Sequence, residues 1–404
     1  MGQPGDWPSH LEGNRIPEKP IQRRILFPKE PAMREIRVVV TDDSAVIRHM
    51  ISDFIDKEPG MRVVGKAKNG QELLELLTTV KPDVVTLDIQ MPGMDGLSTL
   101  EQIMQRFPLP VIMVSTLTQR GAAISFEALE KGAFDYVAKP ERGLQENEQF
   151  RQELIQKIRL AAGADIQRIL AIRRARKSRP TSVSRLPQTP AVKSAEAPST
   201  LGKAVIAIGI STGGPPALAR LFNELAPPMP PILVVQHMPP NFTKALSWRL
   251  NSMSPLTVKE AEHGDQLRPN HVYIAPGGLH MEVIRGGLGP QIALRNGEPV
   301  SGHKPSVDVM MTTAARVFAP RILGVIMTGM GRDGVEGCRV IREAGGYVLG
   351  QDEASSDVYG MNKVAFVQGY VDRQFHLDEA ASVITSFVQE RWLCEKRPTV
   401  GSRS

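Results

Sequence analysis

Three residues in the second half of the chain are of the types that acyl transfer needs, and each closes an apolar stretch. Ser211 lies in Gly209-Ile210-Ser211-Thr212-Gly213, where KAVIAIGI breaks into glycines and then into the helix-forming run PPALARLFNEL. His237 follows PILVVQ, and Asp333 lies in TGMGRDG, where RILGVIMT ends. A serine nucleophile needs a base to take its proton, the base needs an acid to orient it, and the developing oxyanion needs N–H donors. The pattern around Ser211 fits a G-x-S-x-G nucleophile elbow, in which small neighbours permit a sharp strand-to-helix turn. The helix starting near Pro215 would aim free N–H groups and its positive dipole end at the attacked carbonyl.

Taken singly, these residues say little. A Gly/Ser turn before a helix is ordinarily a capped turn, a lone histidine is more often structural than catalytic, and Asp333 could be the N-cap of the next helix. The combination carries more, because all three follow predicted parallel strands, which would bring them to one sheet rim despite separations of 26 and 96 residues. Their chain order, Ser, His, Asp, differs from the Ser, Asp, His order of α/β-hydrolases, so analogy to that fold is not supported. His263, His271 and His280 lack such a setting, whereas His303, in GHKPSVD, is the histidine to expect at a substrate rim.

A separate acidic set occupies the first half. Asp42 and Asp43 follow the predicted strand IRVVV, Asp88 ends DVVTLDI, Ser115 ends VIMVS, and Lys139 with Pro140 follows FDYVA. Carboxylates converging on one sheet edge repel one another unless a cation sits among them. A hard divalent ion with oxygen ligands, Mg2+, resolves that conflict. The ion and Lys139 would stabilise charge on a phosphoryl group transferred to Asp88.

The elements that must position these residues alternate strand and helix twice over. Residues 35–160 read as five βα units, which predicts a parallel doubly wound sheet with ligands at the carboxyl ends of its strands. The last helix carries Leu154, Ile155, Ile158, Ile166 and Ile169 at roughly helical spacing. Residues 203–392 give a second, larger α/β pattern, expected as a doubly wound domain with a mostly parallel sheet and a hairpin formed by MEVIRGG and QIALRN. Residues 1–34 read as a disordered extension, with Met33 a conceivable start. Residues 161–202 read as a basic Pro/Ser/Arg-rich linker, and residues 393–404 as a tail.

Composition narrows the classes. A chain of 404 residues exceeds one ordinary core. The 41% apolar content suits globular packing, and 5% aromatics argues against stacking platforms for nucleic-acid bases. Two cysteines cannot build a disulfide framework and have no zinc spacing. With no apolar signal core and no run near the ~20 apolar residues of a membrane span, a cytoplasmic protein without membrane insertion is expected. Residues 171–200 hold seven Lys and Arg against Glu196 alone, an excess equal to the +6 of the whole chain. That places the charge on a solvated tether rather than on a nucleic-acid-reading face.

Residues 35–140 resemble response-regulator receiver domains through VVVTDDS, VVTLDIQMPGMDG, VIMVST and YVAKP. The resemblance implies a flavodoxin-like sheet and phosphorylation of Asp88 by a histidine kinase, CheA in chemotaxis. It also implies Mg2+ on Asp42, Asp43 and Asp88, a switch role for Ser115, and pairing of Lys139 with the phosphoryl group. Residues 203–392 resemble the catalytic domain of the CheB protein-glutamate methylesterase family through AIGISTGGPPAL, VVQHMPPNFT, VYIAPGGLHM, GHKPSVDVM, VIMTGMGRDG and GQDEASSDVYGM. That second resemblance implies Ser211 as nucleophile, His237 as general base and acid, Asp333 as its orienting acid, the Met330 N–H as an oxyanion donor and Thr212 beside the nucleophile. Implied with them are hydrolysis of glutamate γ-methyl esters on chemoreceptors without a cofactor, deamidation of receptor glutamines, and inhibition by an unphosphorylated receiver packed over the active-site rim. Two other readings stay open at this point: a phosphorylation-controlled scaffold with a degenerate esterase domain, and a regulator that binds nucleic acid through its basic linker.

Overall fold

The computed structural model describes residues 34–116, 118–139, 148–178 and 198–394. The expected N-terminal extension up to Met33, Pro140, linker residues 179–197 and the tail from residue 395 lie outside the described residues.

The first half folds as β1 (Ile36–Thr41), α1 (Ala45–Asp56), β2 (Met61–Ala67), α2 (Gly70–Thr79), β3 (Val84–Asp88), α3 (Gly96–Arg106), β4 (Val111–Thr116), α4 (Gln119–Lys131), β5 (Asp135–Lys139) and α5 (Glu148–Gly163). Its five strands form one parallel sheet in the order β2-β1-β3-β4-β5. The short apolar runs of β1, β3, β4 and β5 are largely buried on both faces, as parallel strands covered by helices must be, while the edge strand β2 is partly exposed. Ser44, Asn69, Asp95 and Thr118 cap α1 to α4, each accepting from the N–H three residues on. A further helix, α6 (Ile166–Ser178), follows α5.

The second half contains β6 (Val205–Ile210), α7 (Gly214–Glu224), β7 (Ile232–Gln236), α8 (Phe242–Met253), β8 (Thr257–Glu260), β9 (His271–Ile274), β10 (His280–Gly286), β11 (Gly289–Arg295), α9 (Val307–Phe318), β12 (Ile322–Ile326), α10 (Val335–Glu343), β13 (Tyr347–Gln351), α11 (Met361–Val367), β14 (Arg373–Phe375) and α12 (Ala380–Val388). Seven strands form a sheet in the order β14-β13-β12-β6-β7-β9-β8, parallel at every pairing. The expected hairpin is present as β10 and β11, an antiparallel pair separate from that sheet. The strand order reverses at β6, which lies between β7 and β12, so the crevice at its carboxyl end is the topological switch point where ligands of such sheets bind. Three short elements, β8, α11 and β14, escape the sequence reading because they are too brief to show a period.

The halves share a core surface. The ring of Tyr136 on β5 stacks on Phe242, the first residue of α8, with centroids 4.8 Å apart and planes 4° from parallel. Phe126 of α4 meets Phe242 edge-on at 6.3 Å. Such pairs contribute about 0.5–1.5 kcal/mol each beyond area burial. Arg249 of α8 pairs with Glu130 of α4 across the same boundary.

The basic segment needs a correction. Its opening residues belong to α6, and Arg173 is neither solvated nor part of a tether. Its guanidinium donates to the carbonyls of Leu129 and Ala133 at 3.0 and 2.8 Å and pairs with Asp357 at 2.7 Å. Side-chain exposures of 10% for Arg173 and 3% for Asp357 make this a buried ion pair between the halves.

Candidate active site

The acidic set converges as expected. One carboxylate oxygen from each of Asp42, Asp43 and Asp88 lies within 4.8 Å of the others, Asp42 and Asp88 buried and Asp43 exposed. Lys139 Nζ is 2.8 Å from Asp42 Oδ2 and 3.0 Å from Asp88 Oδ1. Burial raises the Asp88 carboxyl above its ordinary range, the Lys139 charge opposes that, and Asp42 adds to it. Ser115 is buried on the neighbouring strand β4. An all-oxygen set with one open member fits a hard divalent ion that keeps part of its water shell.

The second constellation is built by strand register. Ile210 on β6 pairs with Gln236 on β7, so the next residues along the two parallel strands, Ser211 and His237, emerge side by side at the switch point. The backbone N–H of His237 donates to the Ile210 carbonyl, and the Gln236 side-chain amide bridges the carbonyls of Ser211 and His237 at 3.0 and 3.1 Å. On the other side Ser211 N–H donates to the Thr328 carbonyl at 2.9 Å, and Thr328 Oγ1 donates to the Thr212 carbonyl. The Ser211 turn is thereby sewn to both neighbouring strands.

Glycine is required in that turn. Gly213 has φ +80, and a Cβ there would lie 2.8 Å from Asp357 Cβ, while a Cβ on Gly214 would lie 1.8 Å from Gln236 Oε1. α7 begins immediately afterwards with Gly214, whose N–H donates to the Ser211 carbonyl at 2.8 Å, and with Pro215 and Pro216, which have no N–H, so the free helix-start donors expected from the sequence are not present. Gly329, the residue before Met330, also passes close: a Cβ there would come within 2.7 Å of Ser211 Cβ. A loop that only glycine lets approach therefore lies against Ser211 at Gly329, with Met330, the expected oxyanion donor, next along the chain. Met330 also edges a groove of about 310 Å³ bordered by Arg151, Gln152, Ile155 and Arg159 of α5.

His237 Nε2 lies 2.7 Å from Asp333 Oδ2, while its Nδ1 is buried without a hydrogen-bond partner among the described residues. Asp333 is fully buried at the N-terminal end of α10, and its carboxylate also caps α9, accepting from Ser306 Oγ at 2.7 Å, Val307 N–H at 2.7 Å and Asp308 N–H at 3.0 Å. Burial disfavours its charge, but the His237 bond and the α9 amides outweigh it and hold the pKa down to about 2. Asp308 returns the arrangement, accepting from Gly334 and Gly337 N–H at 2.9 and 2.8 Å and so capping α10. Burial, reinforced by the charge of Asp333, pushes the Asp308 carboxyl up to about 6. The sequence reading missed Asp308 and Gln236; the signal for Asp308 is its place in PSVD at a helix start.

His303, expected at the substrate rim, is half-buried and stacks on the His237 ring, with centroids 3.7 Å apart and planes 7° from parallel. Burial drives its pKa down to about 4, and the neighbouring His237 adds to that. Thr212, beside Ser211, donates its hydroxyl to Asp135 Oδ2 of β5 at 2.9 Å.

Fold and site together define a class: a receiver-type sheet joined to a parallel α/β domain with a hydrolase-like constellation at its switch point. Comparison with known proteins gives the family. The CheB methylesterase family model matches residues 206–384 and the response regulator receiver domain model matches residues 38–148. A protein-glutamate methylesterase/protein-glutamine glutaminase of Pyrococcus abyssi is 42% identical over 358 residues, 88% of this chain and 94% of that protein. One of the same description from Syntrophotalea carbinolica is 42% identical over 362 residues, 89% of this chain and 99% of its own. Among solved structures, the Thermotoga maritima CheB methylesterase catalytic domain aligns at 38% identity and TM-score 0.45, covering 46% of this chain and 98% of that one. The chain belongs to the CheB family of receiver-linked protein-glutamate methylesterases/protein-glutamine glutaminases. No helix among the described residues is long and apolar enough to cross a membrane.

Proposed function

We propose that this protein is a phosphorylation-activated methylesterase that hydrolyses glutamate γ-methyl esters on chemoreceptors and deamidates receptor glutamines, with a catalytic domain over residues 203–392 under a receiver over residues 35–160. The observation that carries the reading is the His237–Asp333 bond through Nε2, which leaves the Nδ1 lone pair of a buried imidazole on the rim beside Ser211.

In this reading Asp333 accepts the Nε2 hydrogen and fixes the tautomer, and His237 Nδ1 takes the proton of Ser211 Oγ as that oxygen attacks the ester carbonyl. The oxyanion develops where the Met330 N–H can donate to it. Collapse breaks the ester C–O bond, and the proton held on His237 goes to the departing methoxide, releasing methanol. Water, deprotonated by His237, then attacks the acyl-serine and frees the glutamate carboxylate. A glutamine side chain follows the same course with ammonia as leaving group.

For control, Asp88 accepts a phosphoryl group from a histidine kinase of the CheA type. Asp42, Asp43 and Asp88 would hold Mg2+, which supplies neutralising charge there. Lys139, now bridging Asp42 and Asp88, turns to the phosphoryl oxygens, and Ser115 lies near enough to respond. The receiver face that meets Thr212 and Phe242 then loosens and uncovers the rim, a shift of population between closed and open forms.

The test is methanol release from methylated receptor, with and without a small phosphodonor. Wild type should be stimulated by the phosphodonor, Asp88→Asn should lose that stimulation, and Ser211→Ala should lose turnover by several orders of magnitude under both conditions. Near-normal turnover by Ser211→Ala would overturn the nucleophile assignment.

A further inference from the structure

We infer that His303 is a positioning residue for the esterase base: its ring fixes the plane of the His237 imidazole, while Asp333 fixes which way round that ring stands. The inference rests on the reading of His237 as the base. An imidazole turns about its Cβ–Cγ bond in a broad, shallow well, because the torsion joins tetrahedral to trigonal carbon. The single bond from Nε2 to Asp333 distinguishes the ring from its flipped form, in which carbon would replace nitrogen at the nucleophile side. It does little to stop the ring rocking. A second flat ring 3.7 Å away and 7° from parallel blocks that motion on one face.

His303 is itself held firmly. Its N–H and C=O both bond to Val300 at 3.0 Å, closing a turn in which Ser301 and Gly302 have φ 52 and 80. Three residues later the chain reaches Ser306, Val307 and Asp308, the groups that hold the Asp333 carboxylate. One short segment, residues 300–308, thus sets both the plane of the base and the place of its acid. Burial also keeps His303 neutral at neutral pH, so the stacked ring itself adds no positive charge beside His237 when that ring must take a proton. Lys157 of α5 contributes to the same effect, and its ammonium is engaged by Asp135 and Glu153.

The experiment uses the full chain with a small phosphodonor and methylated receptor, comparing His303→Ala and His303→Phe with wild type and His237→Ala. His303→Ala should lower kcat roughly 10- to 100-fold with KM within about twofold, as expected when a reacting group is misplaced rather than binding lost. His303→Phe restores a flat ring without nitrogen and should recover kcat to within about threefold. The 15N imidazole resonances of His237, read without turnover, should broaden in His303→Ala and stay sharp in His303→Phe. Unchanged kcat in His303→Ala, a loss in KM instead, or a His303→Phe variant as impaired as His303→Ala with His237 resonances as sharp as wild type in both, would overturn the role. Activity surviving in His237→Ala would instead remove the base assignment itself, so the two failures are told apart.

Discussion

Thr212, the residue after Ser211, donates its hydroxyl hydrogen bond to Asp135 of the receiver sheet at 2.9 Å. Asp135 opens β5 and Lys139 ends it. One strand, about 13 Å over four residues, therefore carries a contact with the nucleophile turn at its start and the partner of Asp42 and Asp88 at its end.

Asp135→Ala should raise methanol release by the unphosphorylated enzyme several-fold while leaving the phosphodonor-stimulated rate near wild type. Loss of the Thr212 bond weakens the closed form, and Lys157, which also reaches Asp135, loses a partner within the boundary. Initial rates with and without phosphodonor check this; an unaltered basal rate would count against a restraining role.

Arg173→Ala should open the same boundary more strongly. Removing one member of a buried ion pair typically costs about 3–5 kcal/mol, because the other charge stays buried. Limited proteolysis of the unphosphorylated chain should quicken, and Asp357→Ala combined with Arg173→Ala should cost less than the two single losses added together.

Arg173 also marks where the sequence was opaque. Its neighbours are basic and its helix has no strong apolar face, and its partner lies 184 residues away, so composition pointed to a tether. Ser211, His237 and Asp333 were legible for the opposite reason: each ends an apolar run of strand length, and a parallel sheet collects such ends on one rim. Asp42, Asp88 and Lys139 obey the same rule. His303 was noticed, but its stacking on His237 was not foreseen, since nothing in GHKPSVD says which ring it meets. Asp308 showed only as a helix-start residue in PSVD, because its work is on backbone N–H groups of a helix 26 residues on.

Asp333→Asn should lower kcat about 10⁴-fold. An amide can present its NH2 to His237, which favours the tautomer with the proton on Nδ1 and abolishes the base facing Ser211. The amide oxygen, in the Oδ1 place, can still accept from Ser306 Oγ and the Asp308 N–H, while the Val307 N–H, which shares Oδ2 with His237, loses its acceptor, so the melting temperature should fall modestly while activity nearly disappears. Turnover and thermal unfolding measured side by side decide it; equal losses in both would reduce Asp333 to a cap.

Asp308→Asn should separate from wild type in a pH-dependent way. The folded carboxyl titrates near 6 against an ordinary 3.8, so the folded state binds its proton more tightly than the unfolded chain. Stability from this group is therefore greatest below the ordinary value and falls as pH rises through the window up to about 6. Asparagine does not titrate, so the variant should gain on wild type across that window and hold a constant difference above it. Asp333, held down to about 2, works in the opposite sense and loses its contribution only as pH falls towards that value. Melting curves from pH 4.5 to 7.5 check the prediction, and a difference that does not vary with pH would refute it.

The crossed caps have a consequence for how the enzyme comes into being. Asp333 sits at the start of α10 but closes α9, and Asp308 sits in α9 but closes α10. Ser306 caps α9 from within through the Val309 N–H, but the Val307 and Asp308 N–H groups and the start of α10 take their acceptors from the opposite segment, so neither carboxylate reaches its place until both helices have met. A chain still emerging from the ribosome, or one damaged in this region, would carry Ser211 with no oriented histidine beside it. On the proposed mechanism such a half-built molecule would be inert towards esters.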